Sequence, residues 1–493
     1  MASRLSFIFT VFFVCFSFAQ NGNPNDYLSA QFHKERREAL RAKMPKNSVA
    51  VFFGNPIRNR ANDVDYVYHQ DPDFYYLTGY KEPNSVLVVF ADNQTADGKS
   101  FNELLYVQEK NPKEEQWTGI RLGTEGAKKD LGFNFALNGK EFLNSGIDYG
   151  TYSNVMFKEF EEDIRNSKKE KADLYKLIGA FKSQIGYDEK GKSQTYSNVQ
   201  NEINLKKRIT SKIATIDTKS ILTYMASLRE IKSKEEMVLL TKAIRISAMG
   251  QREIMKAMHP GMSETEIQGI HEFVYKKYGS EYEGYPSIVG AGNNGCVLHY
   301  IENSKMKVEN DLVLMDLGAE YHGYTADVTR TIPANGKFST EQKIIYDLVY
   351  EAQEVGIANA KIGNAFGATD AAARKVINEG LVKLGIAKTE NESRKYFPHG
   401  TSHHIGLDVH DPGLYNNLEA GMVITVEPGI YIPNGSDCDK KWWGIAVRIE
   451  DDILITENGP VNLSGEAPRK SNEIELLMTE KSVLDSFSLP KLD

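Results

Sequence analysis

The sequence predicts an α+β protein, in which a pseudo-twofold C-terminal domain follows a smaller α/β domain. Three observations carry this expectation. The chain of 493 residues is 41% hydrophobic and 26% charged, an ordinary globular composition with length for two or more domains. Its first half alternates short apolar runs with polar helical stretches. Its second half shows two helices followed by strand-like runs, and then the same order again.

The N-terminus reads MASRLSFIFTVFFVCFSFAQ. One positive residue, Arg4, precedes an apolar run from Leu5 to Phe18, and Ser17 and Ala19 suit cleavage before Gln20. This is the pattern of a secretory signal peptide over residues 1–19, so the protein is expected to be exported, periplasmic or secreted. The apolar run is short for a membrane span. An uncleaved anchor is the alternative, and lipid attachment at Cys15 fits less well because no small residue precedes it. Beyond the leader only Cys296 and Cys438 remain. Two cysteines are no disulfide scaffold; they either pair or stay free. The net charge is −8 and no basic run tracks a phosphate backbone, which argues against nucleic-acid binding.

Residues 26–223 form the expected first domain. SVAVFF, SVLVVFA and ELLYV read as strands between helices, an α/β layer. The charged stretch 157–177 reads as a solvated helix or an insertion. Residues 228–485 form the expected second domain. Ser233 with Glu236 makes a capping box, and Ser263 with Glu266 opens another helix after His259-Pro260-Gly261. Strands are expected around 287–300 and 312–332. Then Ser339 with Gln342 opens a helix, another follows near Ala368, and strands return at MVITVEPGIYI and GIAVRIEDDILIT. The order of elements repeats, although no sequence repeat accompanies it.

The stretch MDLGAEYHGYTADVTRT, residues 315–331, holds two aspartates in apolar, strand-like surroundings. Burying an unpaired carboxylate is costly. No Lys or Arg lies between Asp316 and Asp327, and Arg330 is the nearest in sequence. Gly323 can take a positive φ and so supply a turn. In a hairpin with a two-residue loop, residues an odd number apart on opposite strands share a face. Asp316 and Asp327 are eleven apart, so both should face one side and share a cation. Downstream, PHGTSHHIGLDVHD holds His399, His403, His404 and His410, while Glu427 and Glu450 stand in apolar strand-like runs. Two Asp, two Glu and a His can hold two divalent ions. Such pairs, about 3.5–4 Å apart, serve hydrolases. Oxygen-rich ligation suits Mn²⁺, with Zn²⁺ and Co²⁺ as alternatives.

The order Asp316, Asp327, His403, Glu427, Glu450 resembles the dinuclear site of the pita-bread metallopeptidases. The flanking LHYIEN, HGTSHHIGLDVHD, VEPGIY and GIAVRIEDD are similar too. Residues 32–90 and 114–133 resemble the N-terminal domain of aminopeptidase P, which methionine aminopeptidase lacks. The resemblance implies a pita-bread catalytic domain and a metalloaminopeptidase that releases the residue before a penultimate proline. It implies a metal-bridged hydroxide as nucleophile, with Asp327 and Glu450 bridging and Glu427 as general base. By the same likeness His299, His399 and His410 contact substrate or shuttle protons, and Arg448 and Tyr431 stand near the site. His404 departs from the family pattern and leaves open which of the two adjacent imidazoles ligates; the spacing favours His403. The resemblance also implies a homo-oligomer, dimer or tetramer. A prolidase acting on Xaa-Pro dipeptides is the alternative, and a non-catalytic peptide-binding scaffold the remote one.

Overall fold

The computed structural model describes residues 25–96, 98–160, 164–166, 170–187 and 214–486. The expected leader, residues 1–19, lies outside them. Among the described residues no helix is long and apolar enough to cross a membrane.

The first region is built on a six-stranded mixed sheet in the order Ala136–Asn138, Lys99–Val107, Val86–Ala96, Ser48–Phe53, Asn154–Met156, Thr215–Asp217. Side chains alternate across its central strands. Ala50, Phe52, Leu87, Val89 and Leu105 feed one core, and Val49, Val51, Val88, Phe90 and Leu104 feed another. Both faces are therefore covered, which explains why these strands read as unbroken apolar runs. The first of these cores does not stop at the sheet. It continues through Phe74 and Tyr76 into Ile244, Tyr321, Tyr324 and Leu407 of the second region. The charged stretch 157–177 is irregular wherever it is described before Leu174. The helix Leu174–Ile185 begins only there, capped by Asp173, whose carboxylate accepts the Lys176 N–H at 2.9 Å. Upstream of the cap, ion pairs of Arg165 with Asp65 and of Glu170 with Arg121 tie the irregular segment down.

The second region repeats one plan. The helices Lys234–Ala257 and Glu264–Lys277 precede a long antiparallel ribbon, and the helices Thr340–Asn359 and Ala368–Lys383 precede another. Ser233/Glu236 and Ser339/Gln342 are full capping boxes, whereas Ser263 caps its helix from one side only. The strand expected over 287–300 is shorter. Ile288–Ala291 is extended, and a 3-10 turn follows at Gly292–Cys296. The reason is close backbone approach: a Cβ on Gly290 would lie 2.7 Å from the Gly295 nitrogen.

Each ribbon is interrupted once. In the first, Leu312–Leu317 pairs with Val328–Pro333, and Ala319–Tyr321 with Tyr324–Thr325. In the second, Val423–Val426 pairs with Asp451–Thr456, and Gly429–Ile432 with Ile445–Arg448. The register is the same on both sides of each interruption. Gly318 marks the first break, and Pro428, which has no N–H to give a ladder, marks the second. The ribbons meet along Val328–Pro333, where Glu450 N–H donates to the Thr329 carbonyl at 3.1 Å.

Candidate active site

The two breaks face each other, and the carboxylates sit at them. In the first ribbon Asp316 pairs with Thr329 and Glu320 with Thr325 around the two-residue turn His322-Gly323, at φ 51° and 88°. This is the primed turn that a tight hairpin favours. At Gly318 a Cβ would lie 2.0 Å from the Ala326 carbonyl oxygen and 2.6 Å from the Tyr285 ring, so only glycine lets the chain pass. Asp316 and Asp327 do share a face. The Tyr285 hydroxyl lies 2.6 Å from one and 2.5 Å from the other, its single proton shared between them.

In the second ribbon the register places Glu427 and Glu450 opposite each other at the break. Glu450 accepts a hydrogen bond from the Thr329 hydroxyl at 2.6 Å. Among the described residues none reaches the Glu427 carboxylate. His399 and His403 each lie 3.6 Å from it.

His403 closes the group, its Nε2 3.4 Å from Asp327. Its Nδ1 lies 3.0 Å from the His404 carbonyl, so the proton belongs on Nδ1 and Nε2 offers its lone pair inward. Ligand atoms of Asp327, His403 and Glu450 lie within 4.8 Å of one another. His404 points the opposite way. Its ring is buried between Phe366 and Tyr415 with no hydrogen bond to either nitrogen, and burial pushes its pKa down to about 4. The His-His ambiguity resolves in favour of His403.

These residues surround a cavity of about 270 Å³ that His299, His399, His410 and Arg448 also line. Arg448 donates to Asp316 at 2.6 Å and to the Tyr431 hydroxyl at 2.9 Å. Tyr431 in turn lies 2.7 Å from His399 Nε2. Burial, reinforced by the Arg448 charge, lowers the His399 pKa to about 4 and leaves it neutral. His410 is exposed at the rim, its ring 4.4 Å from that of His403. Its neighbour Asp411 is buried and held by Arg229 at 2.5 Å and Lys232 at 2.8 Å, which fixes the histidine loop to the segment leaving the first region.

The electrostatics answer the question the sequence posed. Burial would raise Asp316, but the Arg448 charge together with the hydrogen bonds from Arg448 and Tyr285 holds the carboxyl low. Burial and neighbouring carboxylates push Asp327, Glu427 and Glu450 well above the usual range. Arg330, nearest in sequence, does not help: it pairs with Asp451 at 2.7 Å. One arginine faces four carboxylates. The donor set, oxygen-rich with one imidazole aimed inward, fits divalent cations.

Three partners escaped the sequence reading. Tyr285 stands in a Gly- and Pro-containing loop with no periodic pattern. Thr329 looks like any strand threonine. Asp452, whose carboxylate accepts the Asp327 N–H at 3.1 Å, is one acidic residue in a run of three. The cysteines, left open by the sequence, are both free, and burial pushes the Cys296 thiol up to about 12.

Fold and site together define a metallopeptidase of the pita-bread architecture, and comparison with known proteins agrees. The model described as metallopeptidase family M24 matches residues 238–457, and that described as aminopeptidase P, N-terminal domain, matches residues 33–146. The Xaa-Pro aminopeptidase of Escherichia coli is 36% identical over 469 residues, covering 92% of this chain and 98% of that protein. The structure of E. coli aminopeptidase P with the inhibitor Pro-Leu superposes with a TM-score of 0.79 at 33% identity, covering 92% of this chain and 98% of that one. A zinc-substituted form of the same E. coli enzyme, in complex with product, gives 0.78 at 34% identity, again over 92% and 98%. The chain belongs to the aminopeptidase P family and is a metalloaminopeptidase.

Proposed function

We propose that the protein releases the N-terminal residue from peptides with proline in second position, using two divalent ions held by Asp316, Asp327, His403, Glu427 and Glu450. The observation that carries this reading is the crowding of four carboxylates and one inward-facing imidazole around one cavity, with a single arginine among them. The names of the E. coli relative and its Pro-Leu complex support the proline preference. Mn²⁺ is the proposed metal, with Zn²⁺ and Co²⁺ as alternatives.

When bound, such ions would supply Lewis acidity and make water more acidic near neutral pH. The chain does the rest. Glu427, unbound by any hydrogen bond donor among the described residues, is free to accept the proton of the attacking water. His399 lines the cavity beside Glu427, its Nδ1 3.6 Å from that carboxylate and donating to the Gly400 carbonyl at 2.8 Å, which fixes the ring. Arg448 fixes Asp316 and Tyr431, and through Tyr431 the ring of His399. His299 and His410, exposed on the rim, are placed to contact the peptide. A bond into proline has no N–H to grip, and none of these groups needs one.

We further propose export, from the leader-like N-terminus, and a homo-oligomer. Trp117 and Ile120 are 85% and 84% exposed on the first region, an apolar pair suited to a subunit contact.

The test offers Mn²⁺-loaded protein Ala-Pro and Ala-Pro-Ala-Ala and follows free alanine by mass spectrometry. Release from the tetrapeptide is expected. Cleavage of the dipeptide alone makes the protein a prolidase, and release from neither, with metal bound, overturns the enzymatic reading of the site.

A further inference from the structure

A second cavity, of about 200 Å³, lies under the tip of the first ribbon and between the two regions. Tyr68 and Tyr75 wall it from the first region, Tyr282 and Leu407 from the second, interleaved with charged and polar side chains. Such concave, ring-lined sites with a few polar groups are what ligands occupy.

Two features set the position of the cavity relative to the metal site. Glu320, in its wall, lies on the ribbon face that carries Asp316, four residues further on. At about 3.3 Å per residue this is roughly 13 Å. On the neighbouring histidine loop, exposed Asp408 accepts the His410 N–H at 3.0 Å, and at the cavity His69 pairs with Glu320 at 2.9 Å.

The charged groups of the cavity differ in how they are paired. His69 is matched by Glu320, and His322 lies between Glu281 at 2.6 Å and Asp26 at 2.8 Å. Lys81 has no ion pair among the described residues. Its ammonium sits 2.9 Å from the centroid of the Tyr27 ring. Burial lowers the Lys81 pKa to about 8 while the Glu281 charge favours its protonated form, and a cation without a direct ion pair beside tyrosine rings suits an aromatic or branched side chain followed by a carboxylate.

We propose that this cavity is a distal subsite for the peptide substrate, taking an apolar side chain at about the fifth residue and pairing Lys81 with the C-terminal carboxylate next to it. The proposal rests on the reading that this metal site acts on peptides. An extended peptide covers the 13 Å in about four residues past the scissile bond, which sets the position.

The test compares Ala-Pro-Ala-Ala-Phe-Ala with Ala-Pro-Ala-Ala-Ala-Ala on Mn²⁺-loaded protein. The phenylalanine peptide should show at least fivefold higher kcat/KM, and the ratio should fall toward one in Tyr282→Ser. Amidating the C-terminus should weaken the phenylalanine peptide in the wild type but not in Lys81→Gln. Both variants should cleave Ala-Pro-Ala as the wild type does. Equal kcat/KM for the two hexapeptides, with Ala-Pro-Ala still cleaved, overturns the subsite alone. If Ala-Pro-Ala is not cleaved, the function reading fails, and calorimetry with Pro-Ala-Ala-Phe-Ala decides the cavity. Binding that Tyr282→Ser weakens supports it, and no binding overturns it.

Discussion

The two ribbons perform the same geometrical task with different degrees of restraint. Both are antiparallel, both lapse once, and both present acidic residues at the lapse. In the first, Asp316 is held by Arg448 and Tyr285, and Asp327 by Tyr285, while its backbone N–H is tied to Asp452. In the second, Glu450 is held by Thr329, and Glu427 by no hydrogen bond among the described residues. On the proposed reading, the difference separates carboxylates that only hold the ions from Glu427, which also exchanges a proton. A metal ligand gains from being oriented by its neighbours. A base gains from having no competing donor.

The sharpest way to break this comparison is Glu427→Gln. If the second ribbon supplies the base, kcat on Ala-Pro-Ala-Ala should fall by about 10²–10⁴. Circular dichroism should be unchanged. A variant with full activity removes the base assignment.

Metal removal comes next. Asp327, Glu427 and Glu450 have raised carboxyl pKa values, so without metal they favour folding below about pH 4, where carboxylates are ordinarily protonated. That contribution is lost as pH rises through their raised values. The gap in Tm between metal-loaded and chelated protein should therefore widen from pH 4 toward neutrality. With metal at a hundred times its Kd the binding contribution is about 2.7 kcal/mol. A gap that does not change with pH means the carboxylates do not repel one another as the geometry implies.

Tyr285→Phe tests the restraint on the first ribbon. It removes the one proton shared by Asp316 and Asp327, and metal affinity measured by competition with a chelator should weaken about 10–100-fold. An unchanged affinity would show that Arg448 and the backbone suffice.

The smallest effect is expected at His404. Phenylalanine there should leave activity intact and change stability by less than about 1 kcal/mol, in the stabilising direction, because it removes two buried nitrogens without partners. A lost metal ion in His404→Phe would reverse the assignment of the two adjacent histidines.

Much of this site was legible in one sequence because its chemistry violates local expectation. Asp316, Asp327, Glu427 and Glu450 stand where strands want apolar side chains, and the odd spacing of the two aspartates placed them on one face before any coordinates. The capping boxes at Ser233 and Ser339 were equally readable, being local. What stayed hidden depends on contacts distant in sequence. Tyr285 matters only because Gly318 lets its ring approach. The breaks at Gly318 and Pro428 are invisible in runs that read as single strands. The shared core of Phe74, Ile244 and Leu407 joins residues that no local pattern connects. Of the two readings offered for the charged stretch, helix or insertion, the described part of residues 157–173 favours the insertion, being irregular while Phe157 and Phe160 pack into the core.

The hairpin turn at His322-Gly323 also bears on how this chain can change over generations. Along a regular ribbon, one residue added between Asp316 and Asp327 must be absorbed as a bulge, or it turns one carboxylate to the opposite face. The stretch from Pro433 to Gly444, which joins the strands of the second ribbon beyond its paired end, carries no such parity constraint. Insertions and deletions among descendants of this sequence should therefore gather in that connection and spare the interval between the aspartates.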